Sequence, residues 1–273
     1  MSVRVRDLLN SELGELRYEP TEKRIRAVIG DDTVVDSIRA RLVWEPGRVV
    51  PSYAVPAEDV HAELAAAPDG VAPVPADLPR LGDRPILDPR IPFAVHIADG
   101  EPVTIRARDG REAAGFRPRD AALDGYVVLD FGAFDAWYEE DERNVAHPRD
   151  PFHRIDIVHS SRHVRVELEA ETLAESTRPY LLFETQLPAW YYLPPADVRT
   201  DLLTPSATRT ACAYKGEASY WALGEVGDVA WTYRAPLRDA AEVTDRIAFF
   251  NEVVDLFVDG ARLERPVTPW SRR

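Results

Sequence analysis

Two stretches of this chain match each other at a constant spacing. Residues 23–45 read KRIRAVIGDDTVVDSIRARLVWE, and residues 162–184 read RHVRVELEAETLAESTRPYLLFE. The residues that coincide are Arg26 and Arg165, Thr33 and Thr172, Ser37 and Ser176, Arg39 and Arg178, Leu42 and Leu181, and Glu45 and Glu184. After a gap of one residue the match continues through Tyr53 and Tyr191. This pattern predicts one small fold that is used twice.

The repeat divides the chain into three predicted parts. Residues 1–141 are a degenerate first copy, with an N-terminal extension and a Pro-, Asp- and Gly-rich insertion at 66–100. Residues 142–152 are a polar linker, and residues 153–273 are the second, motif-complete copy. Each copy is long enough to bury a hydrophobic core of its own.

Short runs of alternating apolar and polar residues dominate both copies. RIRAVIG at 24–30 alternates like a half-buried strand, and VTIRARDGREAAGF at 103–116 predicts a hairpin with Asp109-Gly110 at its tip. PAEDVHAELAAA at 56–67 has helical character and opens with a proline, which suits the first turn of a helix. The pattern predicts a mainly β protein with two tandem domains of antiparallel sheets and a few short helices.

Composition narrows the functional classes. The net charge of -14 disfavours binding to nucleic acid, which calls for a basic surface. The single cysteine, Cys212, leaves no internal disulfide and no cysteine-rich zinc site. No apolar run reaches the roughly 18 residues of a membrane span, and the N-terminus lacks the apolar core of a signal peptide. We expect a cytoplasmic protein without metal, cofactor, nucleic-acid or membrane partner, and the oligomeric state stays open.

The densest group of aromatic and basic residues lies between Pro188 and Trp221, in the second copy. Aromatic rings together with Arg and Lys can stack on a planar ligand and neutralise an anionic one. The alternative is a β-rich core with aromatic cross-strand pairs. Because the first copy lacks this group, we expect a ligand site in the second copy. The predicted ligand-binding residues are Tyr191, Arg209, Cys212, Tyr214, Lys215, Tyr220 and Trp221.

Other residues could take part in catalysis or metal binding, but their pattern does not identify a reaction or a metal site. Cys212 is either a nucleophile activated by Lys215 or Arg209, or a small buried hydrophobe. The histidines around the predicted linker match no metal-binding spacing. The sequence contains no GxSxG elbow, P-loop or GxGxxG motif, so catalytic residues stay unknown. Lys215 is expected to be exposed or half-exposed.

The second copy resembles the family known as domain of unknown function 427. The matching strings are RHVRVELEAETLAES, RPYLLFET, YYLPPADVRTDLL, TRTACAYKGEASYW, VAWTYRAP and VVDLFVDG. The resemblance covers residues 151–264 and only the two ends of the first copy. It implies a β-tent-like or Mss4-like fold of two antiparallel sheets, whose relatives hold zinc through CxxC pairs or bind small molecules in an aromatic cage. The family is sometimes labelled nucleotidyltransferase-like, but this chain lacks the Gly-Ser turn and the Asp-x-Asp pair of such an enzyme.

These observations lead to one function hypothesis and two alternatives. The leading hypothesis is a small-molecule-binding module for a planar or anionic metabolite, with its site in the second copy. The first alternative is an enzyme that uses Cys212, Lys215 or a carboxylate such as Glu184 or Glu217. The second is a structural or interaction protein without a ligand site, which a filled interior near Tyr214 and Trp221 would favour.

Overall fold

The computed structural model of the chain describes residues 2–67, 72–81, 83–268 and 271. The chain divides into two compact units, unit 1 at Met1–Asp150 and unit 2 at Pro151–Arg273. Residues 68–71 and 82 of the predicted insertion lie outside the described residues. The fold is mainly β, as predicted, with 46% of residues in strands and 13% in helices. None of the helices in the described ranges combines the length and the apolar character needed to cross a membrane.

Unit 1 begins with helix α1, Val5–Ser11, and continues with strands joined by short 3-10 helices. The strands are β1 Arg17–Pro20, β2 Ile25–Ile29, β3 Asp32–Ser37, β4 Arg41–Trp44, β5 Ser52–Pro56, β6 Glu63–Ala66, β7 Arg80–Leu81, β8 Arg84–Pro85, β9 Gly100–Arg106, β10 Glu112–Pro118, β11 Tyr126–Leu129, β12 Ala136–Glu139 and β13 Glu142–Asn144. The 3-10 helices are Glu12–Gly14, Ala57–Asp59, Ala121–Leu123 and Phe131–Ala133. A seven-stranded sheet has the order β1-β4-β5-β11-β10-β9-β6, and a four-stranded sheet has the order β13-β12-β2-β3. The main core lies between the two sheets and includes Ile25, Tyr53 and Trp137.

Two predictions for unit 1 differ from the structure. Residues 142–144, predicted as the start of the linker, form β13 and pair with β12, so they complete the four-stranded sheet. Within the predicted helix at 56–67, only Ala57–Asp59 is a single 3-10 turn, while Glu63–Ala66 forms β6 and pairs with β9. Tertiary pairing with β9 overrides the helical propensity of the alanine-rich segment.

The described residues of unit 2 form strands β14 to β24 and four 3-10 helices. The strands are β14 Ile155–His159, β15 Val164–Leu168, β16 Glu171–Ser176, β17 Tyr180–Glu184, β18 Trp190–Leu193, β19 Thr204–Cys212, β20 Gly216–Leu223, β21 Gly227–Tyr233, β22 Ile247–Phe249, β23 Asp255–Val258 and β24 Ala261–Arg262. The 3-10 helices are Pro195–Asp197, Thr200–Leu202, Gly224–Val226 and Arg238–Val243. The large sheet has the order β14-β17-β18-β22-β21-β20-β19, and the small sheet has the order β16-β15-β23-β24.

The two units have the same edge-to-edge strand order once the short β7–β8 ribbon is set aside. The register also agrees, because Ile25 pairs with Ser37 in unit 1 and Val164 pairs with Ser176 in unit 2. Both hairpins carry a β-bulge at the same point, after Ala27 in unit 1 and after Val166 in unit 2. A position in one unit can therefore be matched to a position in the other by strand pairing as well as by sequence.

A buried serine explains part of the repeated sequence. In unit 1 the Ser37 hydroxyl donates to Asp59 Oδ2 at 2.6 Å, and in unit 2 the Ser176 hydroxyl donates to Asp197 Oδ2 at 2.7 Å. The arginine two residues after each serine pairs with the same aspartate. This corner ties the end of a hairpin to the 3-10 turn that follows the fifth strand, so the repeated Ser, Arg and Asp support the fold.

A cation–π contact occurs in both units with its partners exchanged. In unit 1 the Arg41 guanidinium on β4 lies 4.2 Å from the centroid of the Tyr126 ring on β11. In unit 2 the Arg246 guanidinium, just before β22, lies 4.2 Å from the centroid of the Tyr180 ring on β17. Strand pairing places Arg41 and Tyr180 at equivalent positions, and likewise Tyr126 and Arg246.

Candidate functional site

The predicted site residues of unit 2 lie on both faces of its large sheet. Successive residues of a strand point to opposite faces. Tyr191 and Trp221 pack on the inner face, against the core between the two sheets. Tyr220 packs on the outer face, with a second apolar cluster that includes Tyr192 and Trp231. The sheet therefore separates residues that the sequence grouped into one site.

The remaining predicted residues lie along β19 and the turn that follows it. Arg209 is exposed and donates from Nη1 to the carbonyl oxygens of Ser206 and Thr208, at 2.9 and 2.6 Å. Cys212 is half-buried at the end of β19, and Tyr214 and Lys215 are buried in the turn.

Lys215 forms the centre of a buried ion-pair cluster. Its side chain donates to Glu184 Oε2, and Nε2 of His153 lies 3.1 Å from Glu184 Oε1. The His153 ring is 4.7 Å from the Tyr214 ring, centroid to centroid. Lys215 is only 7% exposed, so the prediction of an exposed or half-exposed lysine is wrong. The turn folds inward because the Lys215 carbonyl accepts a hydrogen bond from the Leu237 N–H at 3.1 Å.

Both members of the ion pair are charged. Burial alone would raise the pKa of Glu184, but the Lys215 charge and the hydrogen bonds from His153 and Lys215 lower this pKa to about 2. Burial alone would lower the pKa of Lys215, but the Glu184 carboxylate raises it well above its ordinary value. An ammonium group held in this way is not a nucleophile, because it has no free electron pair.

Unit 1 buries the equivalent carboxylate with different partners. Glu45, at the end of β4, lies with Oε1 2.6 Å from Nδ1 of His96. Its Oε2 accepts hydrogen bonds from the backbone N–H groups of Ile97 at 2.8 Å and Ala98 at 3.1 Å. These partners come from the predicted insertion at 66–100. A buried carboxylate beside a histidine therefore belongs to the fold of both units and is not peculiar to unit 2.

The polar contacts around the matched tyrosines, Tyr53 and Tyr191, also differ between the units. In unit 1 the Tyr53 hydroxyl donates to Glu139 Oε1 at 2.7 Å and accepts from Asn144 Nδ2 at 3.1 Å. Lys23 Nζ lies 2.5 Å from Glu139 Oε2. The Glu139 carboxylate is thus held between a hydroxyl and a cation, and we call Lys23, Tyr53 and Glu139 the carboxylate clamp. The Trp137 ring packs beside it, 5.2 Å from the Tyr53 ring, centroid to centroid.

Strand pairing identifies the equivalents of these residues in unit 2. On β12, Trp137 pairs with Ala27 and Glu139 pairs with Ile25, whereas on β23, Leu256 pairs with Val166 and Val258 pairs with Val164. The equivalent positions are Lys23 and Arg162, Tyr53 and Tyr191, Trp137 and Leu256, Glu139 and Val258, and Asn144 and Leu263. Unit 2 therefore keeps the cation and the hydroxyl but replaces the carboxylate, the amide and the indole by aliphatic side chains.

A cavity of about 150 Å³ lies beside Tyr191 in unit 2. Its lining residues are Pro188, Ala189, Tyr191, Asn251, Val254, Leu256, Leu263, Glu264 and Pro266. Leu256 stands where unit 1 has the larger Trp137, and this exchange accounts for part of the open space.

Tyr191 lines this space, and its hydroxyl has no hydrogen-bond partner in the described part of the chain. Tyr191 is 8% exposed, and its hydroxyl makes no hydrogen bond to any described residue. Burial raises the pKa of Tyr191, although the nearby Arg162 charge opposes this shift, so the hydroxyl stays protonated and able to donate. Asn251 donates from Nδ2 to the Ala189 carbonyl oxygen at 2.9 Å, which fixes its amide at the cavity wall.

Of the predicted site residues, Tyr191 alone lines this cavity. Asn251, Leu256 and Leu263 were missed, because they carry no chemical signature of their own. For two of them a signal exists, because Leu256 and Leu263 replace Trp137 and Asn144 of the first copy. In the described ranges no three or more His, Cys, Asp and Glu side chains are grouped to hold a metal ion.

The sheets and the cavity together define a mainly β protein with a largely buried tyrosine at a solvent-open cavity of its second unit. Residues 156–260 match the model of the family described as domain of unknown function (DUF427). The match lies within unit 2, in the same segment as the sequence resemblance. No curated protein matches the chain.

Proposed function

We propose that this protein binds a small molecule in unit 2, in the cavity beside Tyr191. The observation that carries the proposal is the pocket beside Tyr191, a largely buried residue that lines it and whose hydroxyl makes no hydrogen bond to a described residue. A bound molecule that forms a hydrogen bond with this hydroxyl would gain about 0.5–1.5 kcal/mol from it. In unit 1 the equivalent Tyr53 hydroxyl already has two partners from its own chain.

We propose further that the chain is a tandem repeat in which unit 1 is the filled copy. The shared strand order, the shared bulge and the repeated Ser-Asp corner support this origin. In unit 1 the Trp137 indole stands where the smaller Leu256 lines the cavity of unit 2. A cytoplasmic location is part of the proposal and is supported by the single cysteine, which suits a reducing compartment.

The Lys215 cluster has a supporting role in this proposal. Tyr214 and Lys215 anchor the turn between β19 and β20 on the outer face, while the cavity lies on the inner side. The neutralised ammonium of Lys215 supports a binding function over a catalytic one, because neither a free amine nor an unpaired charge is offered to a substrate.

The proposal is tested by filling the cavity. Leu256→Trp introduces the residue of unit 1 and should abolish the binding of small molecules. Leu263→Phe fills less of the cavity and should weaken the binding. Binding is measured by ligand-observed NMR with a set of compounds of about six to nine non-hydrogen atoms, a size that suits a cavity of about 150 Å³. Thermal melting checks that both variants fold.

The matched control is Val43→Ile, a volume change on the outer face of unit 1, which should leave binding unchanged. The proposal fails if no compound binds to the wild-type protein. It also fails if the compounds bind equally well to a folded Leu256→Trp variant.

A further inference from the structure

We infer that the ligand of unit 2 is a small organic ammonium ion, that is, a protonated amine with an apolar body. The body lies against the apolar wall of the cavity beside Tyr191, and the N–H groups donate to the acceptors that the other lining residues provide. The inference rests on the proposed function and adds the chemical class of the ligand.

The polar residues that line the cavity all carry a group that can accept a hydrogen bond. The Asn251 amide donates from Nδ2 to the Ala189 carbonyl oxygen at 2.9 Å, which fixes its orientation and leaves Oδ1 without a donor among the described residues. The Tyr191 hydroxyl, also unbonded there, can accept as well as donate, and a carboxylate such as that of Glu264 can only accept. The polar group of a ligand should therefore be a donor.

The charge on the wall is negative. Among the described residues that line the cavity, Glu264 is the only one with a charged side chain, and its carboxylate forms no hydrogen bond or ion pair with a described residue. The two arginines that flank it in sequence bind another carboxylate, since Arg262 and Arg265 both donate from Nη2 to Asp255 Oδ1, at 2.6 and 2.9 Å. Neither of these arginines lines the cavity. The wall therefore favours a cation over an anion.

The rest of the wall sets the size and polarity of the body of the ligand. Val254, Leu256 and Leu263 are apolar, and Pro188 and Pro266 add apolar rings without a backbone N–H donor. A cavity of about 150 Å³ has the size of an apolar cavity that admits benzene. Benzylamine, with one six-carbon ring and one ammonium group, meets these conditions.

The exposure of Glu264 decides how much of the charge is buried. Glu264 is exposed, so an ammonium group paired with it keeps part of its hydration while the ring is enclosed. The energetic cost of removing the charge from water is therefore small. An exposed charge pair is worth up to about fivefold in affinity, so the preference for an amine should have this size.

The test compares benzylamine, which is positively charged at neutral pH, with benzyl alcohol, which has nearly the same shape and no charge. Titrations of the full chain by ligand-observed NMR should give a Kd for benzylamine about fivefold lower than that for benzyl alcohol. Glu264→Gln keeps the size of the side chain and removes its charge. It should remove most of this difference and leave the Kd of benzyl alcohol unchanged.

Two controls identify the cavity as the place of binding. Glu242→Gln removes another exposed carboxylate of unit 2, on the 3-10 helix Arg238–Val243 that packs on the outer face, and should change neither Kd. Leu256→Trp should abolish the binding of both probes, whereas an amine held elsewhere on this acidic chain would still bind. Raising the salt concentration from about 0.05 M to about 0.5 M should weaken the binding of benzylamine and spare that of benzyl alcohol.

The outcomes separate the inference from the proposed function. Equal affinity for the two probes, or a folded Glu264→Gln variant that keeps the preference for benzylamine, would overturn the ammonium class while the binding function stands. Tighter binding of benzoate than of benzylamine would overturn it in the same way. If neither probe binds, the inference is also overturned. The proposed function falls with it only if the wider NMR set shows no binding that Leu256→Trp abolishes.

Discussion

Replacement of Lys215 by methionine should destabilise unit 2 strongly. The substitution keeps the length of the side chain but removes the charge that neutralises Glu184, and both groups are buried. Breaking one partner of a buried ion pair costs about 3–5 kcal/mol, because the other charge stays buried and uncompensated. The pKa of Glu184 gives a similar magnitude, since a shift from 4.5 to about 2 corresponds to about 3 kcal/mol. His153 keeps its contact with Glu184, so we expect the lower end of the range, about 3 kcal/mol.

The effect should depend on pH with a defined sign. The folded pKa of Glu184 is lower than its unfolded value, so its contribution to stability is complete above pH 4.5 and is lost as the pH falls towards 2. The difference in stability between the wild type and Lys215→Met should therefore be constant from pH 6 to 8 and shrink on acidification, between about pH 5 and pH 2.

Hydrogen exchange measured by mass spectrometry in graded urea separates the two units. Peptides from β17 and β20 should lose protection in Lys215→Met at neutral pH, while peptides from β4 and β9 provide an internal reference. The double variant Lys215→Met/Glu184→Leu should recover most of the loss, since it removes both charges. A loss of less than about 1 kcal/mol in the single variant, the amount typical of a surface pair, would refute the reasoning. So would a double variant as unstable as the single one.

Three further predictions follow from the comparison of the units. Ser176→Ala and Ser37→Ala should each destabilise their own unit by about 1.5–3 kcal/mol in urea denaturation, because each removes a hydrogen bond to a carboxylate. Clearly unequal losses of stability would contradict a shared structural corner. Trp137→Leu should open in unit 1 a cavity like that of unit 2, so ligand-observed NMR should detect a second small-molecule site in a chain that stays folded. A single site would count against the filled-copy proposal. Glu45→Gln should destabilise unit 1 as measured by hydrogen exchange, because the charge-assisted hydrogen bond from His96 is lost. Unchanged protection of the unit 1 amides from exchange would mean that the buried carboxylate is dispensable.

The sequence was sufficient for the architecture, because strand alternation and turn residues are local signals. Both the hairpin around Asp109-Gly110 and the β-rich class follow from them, and the hairpin forms as β9 and β10. The segment Glu63–Ala66 was read as helical because its propensity is local, whereas its pairing with β9 depends on residues far along the chain. The local sequence pattern therefore predicts secondary structure, and it fails where pairing with a strand far along the chain determines the conformation.

The site was only partly predictable, for a related reason. The sequence pointed to the aromatic and basic stretch of the second copy, and Tyr191 within it lines the cavity. It could not show that neighbouring residues such as Tyr220 and Trp221 face opposite sides of a sheet with separate cores on each side. It could not show the burial of Lys215 either, because the direction of a turn depends on the segment that packs over it, here through Leu237.

The exchanged cation–π contact bears on how the two units can be recombined. Arg41 and Tyr126 lie on strands separated by β5, and Tyr180 and Arg246 are separated in the same way by β18. A chimaera that moved β17 into the place of β4 alone would set Tyr180 against Tyr126, two rings without a cation. The reverse transfer would set Arg41 against Arg246, two like charges on a largely apolar face. The smallest interchangeable piece of this fold is therefore the group of three adjacent strands and not the single strand. A substitution in one outer strand of the group limits which residues the other outer strand can carry.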